Sequence, residues 1–225
     1  MNFHIITLFP DAFSSYLDES ILKRAILDKK IKVKFYNPKD FEKDKKKRVD
    51  DRPYAGGPGM VIRALPVIKA VERAIIQPKV KSQKSKGNTK CKIIWLSPGG
   101  KQFDTIYAKQ TAKKFKDIII ICGRYEGIDA RVKKVFRTED ISVGPFVVTG
   151  GELPAMIILD CISRQVPGVL GDINSLEESR TASSDVYTRP EVFEYKNKKY
   201  RVPKVLLSGD HKKIEEWRSG RKSLK

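Results

Sequence analysis

Ile118-Ile119-Ile120-Ile121-Cys122-Gly123-Arg124-Tyr125-Glu126-Gly127-Ile128-Asp129 reads as a buried strand that runs into a glycine-bearing turn. A second stretch repeats the device: Ser142-Val143-Gly144-Pro145, running on to Thr149-Gly150-Gly151-Glu152-Leu153-Pro154, with apolar runs at 141–143 and 146–148. A third, Trp95-Leu96-Ser97-Pro98-Gly99-Gly100, is another strand followed by glycine. Glycine at strand ends lets loops converge and brings bare backbone close to a ligand. Ligands of open α/β sheets bind at such carboxyl ends. Neither of the first two stretches fits G-x-G-x-x-G or G-x-x-x-x-G-K-[ST], so the usual dinucleotide and triphosphate cradles are not indicated. Spacing alone leaves a plainer reading open, a pair of tight turns that pack helices onto a sheet.

Outward from these turns the pattern alternates. Residues 3–9 read as a buried strand, and Pro10 opens a helix over 11–28. Residues 31–36 alternate apolar and lysine, a half-exposed strand, and a long loop covers 37–59. Helix is expected over 65–76, stopped by Pro78, then strand at 93–96, helix at 105–115, strand at 118–122, and helices at 129–136 and 152–164. The fold class is therefore α/β, a mostly parallel sheet with helices on both faces. Residues 79–90 form a lysine-, serine- and glutamine-rich tract that reads as a mobile insertion. Beyond Gly168 the character changes. Residues 171–189 are polar and without apolar period, a linker. In the tail, 190–202 are strand-like and charged, 204–207 apolar and 212–218 a helical turn or two. So short a tail cannot hold a core alone and must dock on something.

Lys and Arg number 46 against 27 Asp and Glu, a formal net charge of +19. That excess points to a polyanion partner, because each neutralised phosphate releases counterions. No long segment carries a lysine-arginine face opposite a Trp/Phe/Leu face, so a membrane surface is the weaker candidate. Three widely spaced cysteines, Cys91, Cys122 and Cys161, build neither a disulfide framework nor a C-x-x-C site, which suits a reducing cytoplasm. Two histidines, His4 and His211, argue against a zinc site and against Ser-His-Asp chemistry. The N-terminus lacks a basic leader with an apolar core of signal length, and the apolar runs are too short for a membrane span.

Two further segments are dense in functional groups. Arg48-Val49-Asp50-Asp51-Arg52-Pro53-Tyr54-Ala55-Gly56-Gly57-Pro58-Gly59-Met60 carries glycines and prolines that forbid helix or strand, together with acids, arginine and tyrosine. Such a loop more often binds than merely connects. The polar linker holds Glu177, Glu178, Ser179 and Arg180 and leads to Tyr187-Thr188-Arg189-Pro190-Glu191-Val192.

Taken together, these residues resemble the bacterial tRNA (guanine-N1)-methyltransferases of the SPOUT superfamily. The likeness runs from Ile6–Pro10 through 49–60, Leu96-Ser97-Pro98, 122–129 and 150–156. It continues through Ser163-Arg164, 167–171, 187–192 and 205–209, nearly the whole chain in order. The resemblance implies a deep trefoil knot, S-adenosylmethionine as cofactor, tRNA as partner and a homodimer whose subunits share each active site. It leaves Mg²⁺ open, with no ligand cluster identified, and names neither DNA nor a membrane as partner. It divides the chain into a knotted methyltransferase domain over 1–168, a flexible linker over 169–189 and a short, truncated C-terminal tRNA-binding segment over 190–225.

By motif, the cofactor loops are Trp95, Leu96, Ser97, Pro98 and Gly99; Gly123, Tyr125, Glu126 and Gly127; and Val143, Gly144, Phe146, Val148, Gly150, Gly151 and Pro154. Backbone groups would read the adenine edge and ribose, and the apolar neighbours would wall the purine. Asp50, Asp51, Arg52, Gly59, Tyr187 and Arg189 would line the substrate side. N1 of guanine carries a proton at neutral pH, so methylating it needs a base there and a positive group near O6. Arg164 matches the family's supporting arginine. The family's acid, an Asp within a run close to Ser-x-x-Glu-Asp-Ser, has no clean equivalent in Ser175-Leu176-Glu177-Glu178-Ser179, about one residue shorter. Glu178 is the best equivalent and Glu177 the next. Val186 stands where the family often has His. The expected activity is methylation of N1 in the guanosine 3′ to the anticodon. The alternative is a non-catalytic or differently targeted RNA-binding protein on the same scaffold.

Overall fold

In the computed structural model the isoleucine run is the centre of a five-stranded sheet. The structure describes residues 1–43, 48–54, 56–76, 91–170 and 185–220. The chain divides into two compact units, Met1–Gly171 and Asp172–Lys225.

The first unit opens with β1 (Asn2–Ile6), α1 (Ser14–Leu17), α2 (Ser20–Leu27) and β2 (Lys32–Tyr36). A two-residue hairpin, β3 (Asp50–Asp51) with β4 (Val61–Ile62), precedes α3 (Ala64–Ile75). Then come β5 (Cys91–Gln102), α4 (Thr105–Lys114), β6 (Asp117–Ile121), α5 (Arg131–Val135), β7 (Glu139–Ser142) and α6 (Glu152–Arg164). The sheet order is β2-β1-β6-β5-β7, and each neighbouring pair is parallel.

A parallel strand with helices on both faces has no polar side to show, which is why β6 is isoleucine at four successive positions. Ile118 and Ile120 face one core with Phe3, Ile5, Ile94, Ile141 and the buried side of α6. Ile119 and Ile121 face the other, with Ile6, Trp95, α3 and α5. Burying each isoleucine contributes about 1.5–3 kcal/mol. Among the described residues no helix is long and apolar enough to cross a membrane.

Several boundaries differ from the sequence reading, each for a local reason. The first strand stops at Ile6, where its ladder partners Tyr36 and Ile121 also end. The helix expected over 11–28 is broken into a 3-10 turn at Pro10–Phe13, then α1, then α2, whose first residue Ser20 has φ 48°. Phe13 and Leu17 are buried four residues apart, and an unbroken helix would bury Ile21 next. The break shifts the register so that Leu22 and Ala25 reach the core instead. The glycines and prolines around Asp50 predict no strand, yet Asp50 and Asp51 pair with Ile62 and Val61. Those glycines occupy the hairpin's connection and not its rungs. Strand β5 runs past its glycines and pairs with β7 on both sides of an irregularity between Leu96 and Lys101. Residues 146–148 form no strand.

In the second unit β8 (Val192–Tyr195) and β9 (Lys198–Arg201) make an antiparallel hairpin. Helices α7 (Lys204–Leu207) and α8 (His211–Gly220) follow. The linker residues 171–184, the tract 77–90 and the lysine run 44–47 lie outside the described residues.

Candidate functional site

A sheet whose strands all run one way puts every carboxyl end on one edge, and the three glycine turns leave from that edge. Between them lies a cleft of about 290 Å³. It collects Leu96, Ser97 and Pro98 from within β5, Gly123, Tyr125, Glu126 and Gly127 after β6, and Val143, Phe146, Val148, Gly150, Gly151 and Pro154 between β7 and the start of α6. Trp95, Gly99 and Gly144 are not in the lining. Strand alternation turns Trp95 to the opposite face, where it is buried and the Lys133 ammonium lies 4.7 Å from its ring centroid.

The loops are held by contacts that the sequence reading missed. Glu152, 2% exposed, accepts from the Thr7 hydroxyl at 2.7 Å and from Arg124 Nε at 2.8 Å. Arg124 also reaches the Thr149 carbonyl at 3.4 Å, and its guanidinium lies 4.7 Å from the Phe9 ring centroid. One buried carboxylate thus joins the end of β1, the turn after β6 and the N-terminus of α6. The signals were present in Ile6–Pro10 and in Gly-Gly-Glu-Leu-Pro, but no periodicity or charge count links residues 7, 124 and 152. The Gly151 amide donates to the Gly123 carbonyl at 2.9 Å. A Cβ at Gly151 would fall 2.7 Å from Cys122 Cα, so only glycine allows the two turns this close. Burial, reinforced by Glu152, raises the Cys122 thiol well above its ordinary pKa, which makes it an inert core group and not a nucleophile.

The β3–β4 hairpin is tied to the same edge. Ile62 donates to the Gly127 carbonyl at 3.0 Å, Asp129 donates to that of Ile62 at 2.9 Å, and Glu126 donates to that of Met60 at 3.0 Å. A Cβ at Gly59 would lie 2.5 Å from Glu126 Oε1, so the glycine leaves the carboxylate its space. Gly59 therefore abuts the cleft, while Asp50 and Asp51 sit on the rung and Arg52 caps it by donating its amide to Asp51 at 2.8 Å. Tyr125 holds φ at 58°, a left-handed conformation costly for a bulky residue. It directs a half-exposed ring to the cleft rim.

Of the other expected residues in the first unit, Arg164 is not in the lining of this cleft. Arg164 ends α6, about 18 Å along the helix axis from Glu152 at 1.5 Å per residue. Tyr187 and Arg189 belong to the second unit, where the Tyr187 ring is 6.3 Å from that of Trp217. Glu177 and Glu178 lie outside the described residues. Among the described residues no group of three His, Cys, Asp or Glu side chains could hold a metal ion, and Mg²⁺ enters no step below.

A second, larger groove of about 520 Å³ adjoins the first and shares Val143, Phe146, Val148 and Pro154. Its other wall is one flank of α6, with Leu153 and Ile157 left 57% and 44% exposed. At its far end the Tyr16 hydroxyl donates to Asp160 at 3.2 Å, and burial together with that carboxylate raises the phenol's pKa.

Comparison with known proteins gives one answer. The family model described as tRNA (Guanine-1)-methyltransferase TrmD matches residues 1–225. A Clostridioides difficile protein named tRNA (guanine-N(1)-)-methyltransferase is 46% identical, over 97% of this chain and 90% of its own length. Proteins of the same name from Caldanaerobacter subterraneus and Pseudoalteromonas atlantica are 46% and 42% identical, covering 97% and 96% of this chain and 85% and 78% of theirs.

Proposed function

This chain belongs to the tRNA (guanine-1)-methyltransferase family, and on that premise we propose that it methylates N1 of the guanosine 3′ to the anticodon of tRNA, with S-adenosylmethionine as donor. The observation that carries the proposal is the cleft itself, where the loops after β6 and β7 meet the irregular stretch of β5 with bare backbone and apolar walls. S-adenosylmethionine fits that lining: backbone N–H and C=O groups suit the adenine edge and ribose, and Leu96, Val143, Phe146 and Val148 suit the purine faces. When bound it supplies a methyl on a sulfonium that leaves as a neutral thioether.

The chain's own residues must handle the proton and the charge. Glu178, or Glu177 beside it, takes the N1 proton while the bond from N1 to the methyl carbon forms. Arg164 steadies the negative charge that N1 deprotonation pushes toward O6. Asp50, Asp51, Arg52 and Gly59 line the substrate side, and Tyr187 and Arg189 bind substrate as well. The family reading extends to the trefoil knot.

With Arg164 a helix length from its own chain's cleft, the active centre is completed by a second copy. The exposed flank of α6, Leu153 and Ile157, is the face that pairs. Leu153→Glu with Ile157→Glu is expected to halve the mass in analytical ultracentrifugation and abolish activity. An unchanged dimer, or a wild-type monomer that turns over, contradicts this arrangement.

Labelled S-adenosylmethionine with a tRNA transcript bearing guanosine 3′ to the anticodon tests the activity, against the same transcript with adenosine there. Label on the guanosine transcript alone supports the proposal, and equal label on both moves the target elsewhere in the RNA. Bound cofactor and tRNA with no label would favour a non-catalytic RNA-binding protein.

A further inference from the structure

The hairpin of the second unit has a composition that its own folding does not require. Its rungs pair Val192 with Arg201, Phe193 with Tyr200, Glu194 with Lys199 and Tyr195 with Lys198. Cross-strand partners share a face, and alternate residues along a strand share it too. Phe193, Tyr195, Lys198 and Tyr200 therefore stand on one side. The Phe193 and Tyr200 rings are stacked, with centroids 5.2 Å apart and planes 13° from parallel. Lys196, in the turn, holds its ammonium 5.4 Å from the Tyr195 ring centroid. Lys196 and Asn197 both take positive φ, 48° and 59°, as a tight two-residue hairpin turn demands, and that turn fixes the register.

None of the three rings enters a core. Phe193, Tyr195 and Tyr200 remain 55%, 59% and 43% exposed. Three aromatics on one open face of a two-stranded ribbon gain little from burial, and an isolated hairpin is at best marginally stable. The same ten residues carry four cations against the single acid Glu194; Lys198 shares the aromatic face and Lys196 sits in the turn beside Tyr195, while Lys199 and Arg201 stand on the other face. Flat rings that are open on one side and edged by cations match one chemistry well. An unstacked base lies on the ring, and the phosphates flanking it meet the ammonium and guanidinium groups.

We propose that the aromatic face of the β8–β9 hairpin is a stacking platform for an unpaired base of the RNA substrate, with the hairpin's cations on the adjoining phosphates. The proposal rests on the reading above that the substrate is a tRNA. A paired stem offers no free base face to these rings, so the contact is to a loop or a splayed nucleotide. Tyr195, the most exposed ring and the one beside Lys196 and Lys198, is the principal contact. The Phe193–Tyr200 stack extends the platform along the ribbon.

The test uses the full-length chain with a tRNA transcript, measuring RNA affinity directly and the steady-state constants separately. Tyr195→Ala is expected to weaken RNA binding on the order of ten-fold or more. Tyr195→Trp, which keeps a larger ring, should restore or exceed the wild-type affinity. Lys196→Gln with Lys198→Gln should flatten the slope of log affinity against log salt by about 0.7 for each phosphate that is no longer neutralised. The KM for S-adenosylmethionine and kcat at saturating tRNA should not change in any of these variants. Equal RNA affinity for wild type, Tyr195→Ala and Tyr195→Trp would overturn the platform while leaving the methyltransferase reading intact. A change in oligomeric mass in Tyr195→Ala would overturn it differently, by assigning the face to a second copy. Absence of methyl transfer in the wild type would defeat the reading of the activity, yet the affinity series would still decide the platform.

Discussion

Arg124→Ala is expected to lower the stability of the first unit by about 3–5 kcal/mol, because it strands a buried carboxylate. Glu152 is 2% exposed, and Arg124 Nε is its cationic partner at 2.8 Å. The Thr7 hydroxyl can satisfy one carboxylate oxygen but cannot neutralise the charge. At about 2–4 °C per kcal/mol for a domain of this size, the melting midpoint should fall by roughly 6–20 °C. The loss should be functional as well. Arg124 pins the Thr149 carbonyl and the Phe9 ring, so its removal frees the segment that forms one wall of the cleft. Affinity for S-adenosylmethionine by calorimetry should fall with it. The double variant Arg124→Met with Glu152→Gln separates the two effects: stability should recover in large part, since no charge is left buried, while cofactor affinity should not. A single variant with wild-type melting behaviour would show that the carboxylate is not held as described.

Glu178→Gln should lower kcat by about 10²–10⁴-fold, the range by which a positioned base contributes, with little change in KM for S-adenosylmethionine. Residual activity should climb with pH, because the N1 proton must then leave to solvent. Glu177→Gln should cost far less. If Glu177→Gln is the damaging change, the base is the neighbouring residue and the linker register is shifted by one. If neither matters, the proton leaves by another route and both acids are solvated linker groups.

The parts of this fold that are legible in the sequence are those set by one-dimensional pattern. The four isoleucines of β6 announce a strand buried on both faces, and α6 begins and ends where its glycines and last arginine suggest. The parts that are not legible depend on register or on contacts between distant residues. Nothing local says that Leu22 rather than Ile21 follows Leu17 into the core, because the break before Ser20 answers to packing across the sheet. The family resemblance makes Trp95 a wall for a purine, yet period-two alternation assigns it to the other face. The Thr7–Glu152–Arg124 junction spans 145 residues and leaves no trace in spacing or charge. Thirteen of the sixteen residues expected at the cofactor line the cleft, because a parallel sheet gathers all its strand-end loops on one edge. Arg164 sits elsewhere because one helix cannot present both of its ends to the same cleft.

The most direct test of the central claim is to identify the methylated nucleoside. A tRNA transcript reacted with S-adenosylmethionine and the full-length chain would be digested and resolved by mass spectrometry, with the position mapped by reverse-transcription arrest. The account predicts 1-methylguanosine at the residue 3′ to the anticodon, since a methyl on N1 blocks the pairing edge and stops the transcriptase there. A methyl on a ribose hydroxyl, on another base, or at another position would contradict it.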